Sequence, residues 1–358
     1  MKSRVLERDV SNGKRPHRWR RILGGIAVGL IVLVLLLGVA GFTWNELVTR
    51  HYRNANPVPG TYYTVDGHQM HMYCTGTGSP TLVLDSGLGD DWTVWLKVQP
   101  ELSKVTQVCS YDRSGLGSSE ELPGGHDANT LADELHALVG QAGIKKPFVL
   151  AGHSIAGVYI RAYATKYPTD LAGLIFIDGS SPDQFKRLPK EVTDQTPNLF
   201  EMSWMVRLGI ARATGQCTEV VPGLEAWSGW IFANTCNPPA VDAGIEEYKD
   251  IAQSMDETRH TGPFGHLPIL IFSQDPNGSP TDPSTLSPAA TTQMRTAWNQ
   301  MQEELKLLSS DSHRIIAKGS GHYIEVDRAD LINREVPVFI EQIRNGTQSP
   351  DIGATKTE

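Results

Sequence analysis

The sequence predicts an α/β fold with a mainly parallel β-sheet, and two patterns carry that prediction. Short apolar runs, such as Thr81–Asp85 and Leu171–Ile177, alternate with stretches of helical spacing. Such alternation is typical of parallel strands joined by crossover helices. Residues 179–266 form an aromatic-rich insertion between two predicted strands, too long and apolar for a plain loop. We interpret it as a mostly helical cap over one end of the sheet.

The elements can be read in chain order from residue 61 to residue 345. An Asp-Gly turn predicts a hairpin at its start, and each later apolar run is bounded by turn residues. The predicted strands are Tyr62–Val65, Gln69–Cys74, Thr81–Asp85, Thr106–Tyr111, Pro147–Ala151, Leu171–Ile177, Leu267–Phe272 and His313–Ala317. The predicted helices outside the cap are Trp92–Leu102, Leu131–Gln141, the one after Ser154, Thr291–Leu308 and Ala329–Ile343.

An apolar segment precedes this domain. Residues 1–21 carry eight Lys or Arg and two acidic residues, whereas Ile22–Trp44 has no charge. As a helix the segment would reach about 34 Å, enough to cross a bilayer. The basic cluster predicts a cytoplasmic N-terminus and an exported domain. A signal peptide cleaved near Gly38-Val39-Ala40 is the alternative, which would give a secreted protein. Residues 45–60 are predicted as a linker and 346–358 as a disordered tail.

Ser154 lies in the sequence G-H-S-I-A, between a predicted strand and a predicted helix. A serine on a tight strand-to-helix turn needs tiny residues two positions before and after it. Gly152 and Ala156 meet that need, so the pattern is close to the nucleophile elbow G-x-S-x-G. Ser154 is therefore the candidate nucleophile.

A serine hydroxyl needs a base, and the base needs an orienting acid. His322 follows a predicted strand in the glycine-framed loop G-S-G-H-Y and is the candidate base. Two residues compete for the acid, because both follow the carboxyl end of a strand. Asp275, in S-Q-D-P-N-G, is the preferred candidate, and Asp178, in I-D-G-S-S-P, is the alternative.

Hydrolysis also needs donors for an oxyanion. The amide of Ile155, directly after the nucleophile, is one candidate. The turn S-G-L-G after Thr81–Asp85 supplies the other, the amide of Leu88, because its glycines free the backbone. This turn lacks the spacing of a dinucleotide-binding motif, and the sequence contains no P-loop.

Together these segments resemble the α/β-hydrolase superfamily, and more narrowly its cap-bearing bacterial serine hydrolases of esterase type. The resemblance rests on T-L-V-L-D-S-G-L-G, V-C-S-Y-D-R-S-G-L-G-S-S, the Ser154 turn and G-S-G-H-Y-I-E-V-D-R, in that order. It implies an eight-stranded, mostly parallel sheet with helices on both faces, and the order nucleophile, acid, histidine. The strand before Asp275 lacks the glycine-x-x-aspartate ending common in the family, which keeps Asp178 open.

The four cysteines have an even count, as expected for disulfides in an exported protein. The resemblance implies that the strands bearing Cys74 and Cys109 are neighbours, and hence a Cys74–Cys109 bond. Cys217–Cys236 would then join two parts of the cap.

The sequence thus predicts a membrane-anchored serine hydrolase for small-molecule carboxylic esters, held in the lipid bilayer by Ile22–Trp44. Amide, thioester or peptide hydrolysis and a catalytically idle binding protein are the alternatives. No cofactor or metal is expected. The formal charge of −8, with the basic residues concentrated at the N-terminus, argues against a nucleic-acid partner. The sequence does not indicate an oligomeric state.

Overall fold

The computed structural model describes residues 17–194, 198–217, 224–279 and 285–358. Its strands are β1 Thr61–Val65, β2 His68–Thr75, β3 Leu82–Asp85, β4 Val108–Tyr111, β5 Phe148–His153, β6 Leu171–Ile177, β7 Ile269–Ser273, β8 Ser312–Ile316 and β9 Thr355–Thr357. Its helices are α1 His17–Ala55, α2 Gln99–Leu102, α3 Ala128–Gln141, α4 Ala156–Lys166, α5 Gln184–Arg187, α6 Lys190–Thr193, α7 Leu199–Arg207, α8 Ile210–Ala213, α9 Ser228–Thr235, α10 Pro238–Thr258, α11 Pro288–Glu304, α12 Ile324–Asp327 and α13 Ala329–Asn345.

The strands form one sheet in the order β1-β2-β4-β3-β5-β6-β7-β8-β9. The pairs β1/β2 and β2/β4 are antiparallel, and every other neighbouring pair is parallel. The α/β-hydrolase fold predicted from the sequence is therefore confirmed.

Alternating side chains of the strands face two apolar cores, one on each side of the sheet. On β5, Leu150 joins the core that packs against α3 and α4. Its neighbour Val149 joins the core that packs against α13. Helices thus cover both faces of the sheet.

The parallel register brings the carboxyl ends of the central strands to one edge. Asp85 of β3 pairs with Gly152 of β5, and His153 pairs with Ile177 of β6. Ile177 in turn pairs with Phe272 of β7. Loops that leave these strands therefore start side by side, with the cap helices α5–α10 inserted after β6.

Two predictions about the ends of the domain are wrong. The predicted linker 45–60 is helical as far as Ala55, because residues 45–56 contain no Gly or Pro. The predicted disordered tail 346–358 contains β9, which pairs in parallel with β8 and gives nine strands among the described residues, not eight. The open edge of β8 explains this, since its backbone groups otherwise lack partners.

Helix α1 contains a segment, within Trp19–Ala55, that is long and apolar enough to cross a membrane. A signal sequence near an N-terminus would meet the same test. The apolar side chains of this segment are exposed, as in a helix that would face lipid.

Both disulfides implied by the resemblance are present. Cys74 of β2 lies directly opposite Cys109 of β4 in the register, and the two are bonded. The second bond joins Cys217 to Cys236 inside the cap. The two bonds use all four cysteines of the chain.

Candidate active site

Ser154 occupies the turn between β5 and α4 in a left-handed backbone conformation, with φ of 55°. This conformation is rare for a residue with a side chain and costs about 1–3 kcal/mol. The turn is tight: a Cβ on Gly152 would lie 2.8 Å from the backbone of Ala156. This contact explains why the residue two positions before Ser154 must be glycine.

A chain of two hydrogen bonds links Ser154 to a carboxylate. His322 Nε2 lies 2.8 Å from Ser154 Oγ, and His322 Nδ1 lies 2.6 Å from Asp178 Oδ2. A carboxylate accepts from Nδ1–H, so in the neutral ring Nε2 is left to accept from the serine hydroxyl. The Asp178 side chain is fully buried, whereas that of His322 is 28% exposed. Hydrogen bonds in this order allow a histidine to take a proton from a serine hydroxyl while a carboxylate orients the ring.

The other oxygen of Asp178 is held from a second side. Asp178 Oδ1 accepts from the Gln274 amide at 3.0 Å and from Trp298 Nε1 at 2.9 Å. These donors fix the carboxylate in the plane that His322 needs. The sequence analysis missed Trp298, which lies 120 positions away in the chain.

The preferred acid, Asp275, does not occupy the position beside His322 Nδ1 that the sequence analysis gave it; the alternative, Asp178, does. Asp275 Oδ1 accepts from the amide and the side chain of Asn277, and Oδ2 accepts from the Gly319 amide at 2.8 Å. Burial raises the pKa of Asp275, but these hydrogen bonds outweigh it and leave the pKa below its usual range. Asp275 therefore ties its own turn to the loop that carries His322.

The reason for this exchange lies in the strand order. Asp178 directly follows β6, the immediate neighbour of β5, whereas Asp275 follows β7, one strand further away. Like Ser154, Asp178 adopts a left-handed backbone, with φ of 45°. Ser154 and Asp178 thus leave adjacent strands through similar turns.

Both expected oxyanion donors lie at this edge of the sheet. Ile155 directly precedes α4, and Leu88 is in the turn that follows β3. Within the described part of the chain, the amides of Leu88 and Ile155 donate to no other residue. Two amides without an internal acceptor are what an oxyanion hole requires.

The turn that carries Leu88 is held by a buried arginine. Arg113 donates to the carbonyl oxygens of Ser86 and Gly87 at 2.7 and 2.6 Å. It also pairs with the carboxylates of Asp85 and Glu247. Glu247 belongs to α10 of the cap, so the cap takes part in fixing the turn.

His153, the residue before Ser154, is fully buried beside the site. Its Nε2 donates to the carbonyl oxygen of His322 at 3.1 Å. Burial, helped by the nearby His322, lowers the pKa of His153 well below its usual range, so the ring is neutral. Glu325 lies 3.3 Å from its other nitrogen, and burial raises the pKa of that carboxyl well above its usual range.

In the described ranges, no group of three or more His, Cys, Asp or Glu side chains is arranged to hold a metal ion.

Comparison with known proteins identifies the family. A family model described as "Alpha/beta hydrolase family" matches residues 82–335. An uncharacterized protein of Schizosaccharomyces pombe is 26% identical over 251 residues, which are 60% of this chain and 46% of that protein. An uncharacterized protein of Bacillus subtilis is 30% identical over 167 residues, 46% of this chain and 51% of that one. The chain spans about half the length of these two relatives.

Solved structures share the fold. A bacterial membrane phospholipase A superimposes with a TM-score of 0.57 at 21% identity, covering 91% of this chain and 99% of that one. A thermophilic esterase of Thermogutta terrifontis superimposes with a TM-score of 0.56 at 20% identity, covering 80% and 99%. At these identities the likeness concerns the fold alone.

Proposed function

Because this chain belongs to the α/β-hydrolase family, we propose that it is a serine hydrolase that cleaves carboxylic esters. The observation that carries the proposal is the continuous path from Ser154 Oγ through His322 to Asp178 Oδ2, with separations of 2.8 and 2.6 Å. Both separations fall within hydrogen-bonding range, as general-base activation of a serine requires.

In the proposed reaction, His322 Nε2 takes the hydroxyl proton of Ser154 while Oγ bonds to the carbonyl carbon of the ester. Asp178 accepts from Nδ1–H and stabilises the imidazolium that forms. The tetrahedral intermediate collapses, the bond to the alkoxy group breaks, and His322 gives its proton to the leaving alcohol. A water molecule, deprotonated by His322, then releases the acid and restores Ser154.

The amides of Ile155 and Leu88 would donate to the oxyanion of each tetrahedral intermediate. Removal of one such donor typically costs about 100- to 1000-fold in turnover. Their lack of another acceptor within the described chain supports this role.

Two alternatives follow from the same site. Amide, thioester or peptide bonds could be cleaved by the same three side chains, since each passes through a similar tetrahedral intermediate. A catalytically idle binding protein would keep the fold without the chemistry. The intact hydrogen-bonded path favours an enzyme, because an idle protein has no need to hold Ser154 in a strained conformation.

A fluorophosphonate probe tests the proposal. We expect the wild-type protein to be labelled, and the label to vanish in Ser154→Ala but persist in Ser86→Ala, a serine at the same edge of the sheet. Equal labelling of wild type and Ser154→Ala would support the idle protein. Hydrolysis of p-nitrophenyl esters but not of matched anilides would then favour esters over amides.

We also propose that α1 is an uncleaved membrane anchor, with its N-terminus in the cytoplasm and the hydrolase domain outside. The basic residues before the apolar segment and the two disulfides support this topology. The helix is continuous through the possible cleavage site Gly38-Val39-Ala40, and Gly38 and Gly41 both pack against Leu208 of the cap.

The mass of the protein recovered from membranes tests the anchor. We expect the full-length mass in a fraction that resists alkaline carbonate. A soluble product that begins near Gly41 would mean that the segment is a signal peptide.

A further inference from the structure

We propose that helices α7 and α8 of the cap form a membrane-contacting surface, which inserts Phe200, Trp204 and Ile210 into the bilayer beside α1. This inference rests on the proposed anchor, but not on the proposed chemistry. It assigns the cap a lipid-facing side in addition to the side that faces the sheet.

The first observation is that α7 has its aromatic side chains outside. Phe200 is 73% exposed and Trp204 47%, and their rings are neighbours at 6.0 Å on one side of the helix. Ile210, at the start of α8, is 43% exposed. A surface helix of a protein surrounded by water normally turns such residues inward.

The second observation is that two polar side chains of α7, Ser203 and Arg207, turn toward α10 of the cap. Ser203 Oγ donates to Asp242 Oδ1 of α10 at 2.7 Å, and Arg207 forms an ion pair with the same carboxylate. Val206 of α7 packs into the cap core beside the Cys217–Cys236 bond. Glu201, in the first turn of α7, is exposed and accepts from the Asn198 side chain at 3.0 Å. The two aromatic rings therefore lie beside one charged group at the start of the helix, as in interfacial helices with both apolar and charged residues.

The third observation fixes the position of this surface along the membrane-spanning helix α1. Leu208 and Gly209, between α7 and α8, pack directly on α1: a Cβ on Gly41 would lie 2.2 Å from Leu208 O, and one on Gly209 would lie 2.9 Å from Gly41 O. Both glycines are needed for this close approach, as in packed membrane helices. Gly41 lies inside the apolar segment that ends at Trp44.

These contacts place the exposed side chains near the membrane boundary. The contact residues Gly38 and Gly41 lie within about 9 Å of Trp44, the outer end of the apolar segment, at 1.5 Å of helix per residue. The Leu208 amide donates to Trp204 O, so Trp204 lies one helical turn, about 5 Å, from the contact with α1. Interfacial helices bury their apolar face by about 5–10 Å, a depth at which tryptophan is favoured.

The polar end of α1 makes the arrangement rigid. Asn45 is buried and donates to the carbonyl oxygens of Val206 and Cys236. Arg212 of α8 donates to Asn45 Oδ1 and Thr49 Oγ1 at 2.8 and 3.0 Å. A spanning α1 would therefore hold α7 and α8 at a set depth.

Depth-dependent fluorescence quenching tests the surface in the full-length chain. All four native cysteines are paired, so Phe200→Cys and Trp204→Cys can each carry a single environment-sensitive fluorophore. Leu307→Cys is the matched control, since Leu307 is also apolar and 77% exposed but lies outside the cap, in the short helix Leu305–Leu308. Val34→Cys reports on the anchor itself. Each variant is used only if its thermal unfolding matches that of the wild type.

The variants are placed in phosphatidylcholine nanodiscs that contain a lipid with its spin label near the headgroup. We expect the fluorophore emission at positions 200 and 204 to be blue-shifted and quenched by this lipid. At position 307 we expect the emission wavelength of the fluorophore in water, without quenching. Quenching at 34 without quenching at 200 and 204 would overturn the surface but leave the anchor standing. Loss of quenching at 34 would overturn the anchor as well. A blue shift at 200 and 204 that spin-labelled lipid does not quench would mean that a second copy of the chain covers this face, which also overturns the proposal.

Discussion

The amide of Gly89 donates a hydrogen bond of 2.9 Å to Glu247 Oε2, and so joins the turn after β3 to helix α10 of the cap. The same carboxylate pairs with Arg113, which holds the carbonyl oxygens of Ser86 and Gly87. Three points of the turn that carries Leu88 are therefore fixed by one buried ion pair. In the proposed enzyme, Glu247 is a positioning residue for the oxyanion donor.

We expect Glu247→Gln to lower kcat for an ester more than it raises KM. The amide keeps an acceptor for Gly89 but leaves Arg113 with one charged partner fewer, which typically costs about 3–5 kcal/mol of stability in a buried pair. Kinetics and chemical denaturation measure the two effects. Glu246→Gln is the control, because Glu246 is exposed on the same helix and pairs with Lys249. Unchanged kcat in a less stable Glu247→Gln protein would mean that Glu247 serves stability alone.

Replacement of the two candidate acids should separate their roles. We expect Asp178→Asn to reduce kcat by about 10⁴, because the orientation and tautomer of His322 depend on that carboxylate. Asp275→Asn should have a much smaller effect on kcat and should mainly lower stability, since Asp275 accepts three hydrogen bonds within the loops. Steady-state kinetics with matched unfolding curves provide the test. The reverse order of effects would restore Asp275 as the acid.

Trp298→Phe should slow the reaction with little change in folding. The substitution keeps the aromatic ring but removes the N–H that donates to Asp178 Oδ1. A hydrogen bond to a charged group is typically worth about 1.5–3 kcal/mol, so we expect kcat to fall about tenfold or more. Trp227→Phe in the cap, where the ring packs on Trp92, is the comparison. Equal losses in both variants would argue for a general packing effect.

A buried glutamate on α3 makes stability depend on pH. Burial raises the pKa of Glu134 to about 8, only partly opposed by His126, and its Oε2 is buried without a partner among the described residues. The folded state therefore binds this proton more tightly than the unfolded state, whose glutamate has an ordinary pKa near 4.5. The contribution to stability is full below about pH 4.5 and is lost as the pH rises to about 8.

Glu134→Gln should remove this dependence. We expect the variant to have a higher Tm than the wild type at pH 8, and a smaller advantage or none at pH 5. Thermal unfolding at both values is sufficient. Glu341→Gln, on the exposed side of α13, should leave the wild-type trend intact. A Glu134→Gln protein whose Tm follows the wild type at every pH would show that Glu134 does not titrate as expected.

The sequence was sufficient to find Ser154 and His322 as candidates because local patterns mark them. Each follows a buried strand in a turn rich in small residues, and parallel strands end at one edge of the sheet. The acid could not be chosen in this way. Asp178 and Asp275 have the same local context, and the strand order together with the path of the His322 loop decides which one reaches His322.

Residues that act through long-range contacts left no signal in the sequence. In the sequence, Glu247 is one of several acidic residues of a predicted cap segment, and nothing marks it out from the others. Its contact with Gly89 joins residues 158 positions apart in the chain. The tail is a similar case, since a strand of three residues such as Thr355–Thr357 is defined by the edge of β8 that it joins. The helical linker was different: its composition is compatible with a helix as far as Ala55, and the stretch that contains Pro57 alone suggested a linker.

Ser154 and Asp178 share a left-handed backbone, and this has a consequence for evolution and engineering. Each residue costs stability where it stands, because glycine would adopt that conformation more readily. Selection for thermal stability alone would therefore favour glycine at position 154, whereas glycine at position 178 would leave the donors of Gln274, Trp298 and His322 without their acceptor. A stabilised variant obtained in that way would retain the sheet and the cap and lose the hydroxyl that faces His322, so a screen for heat resistance needs activity as a second criterion.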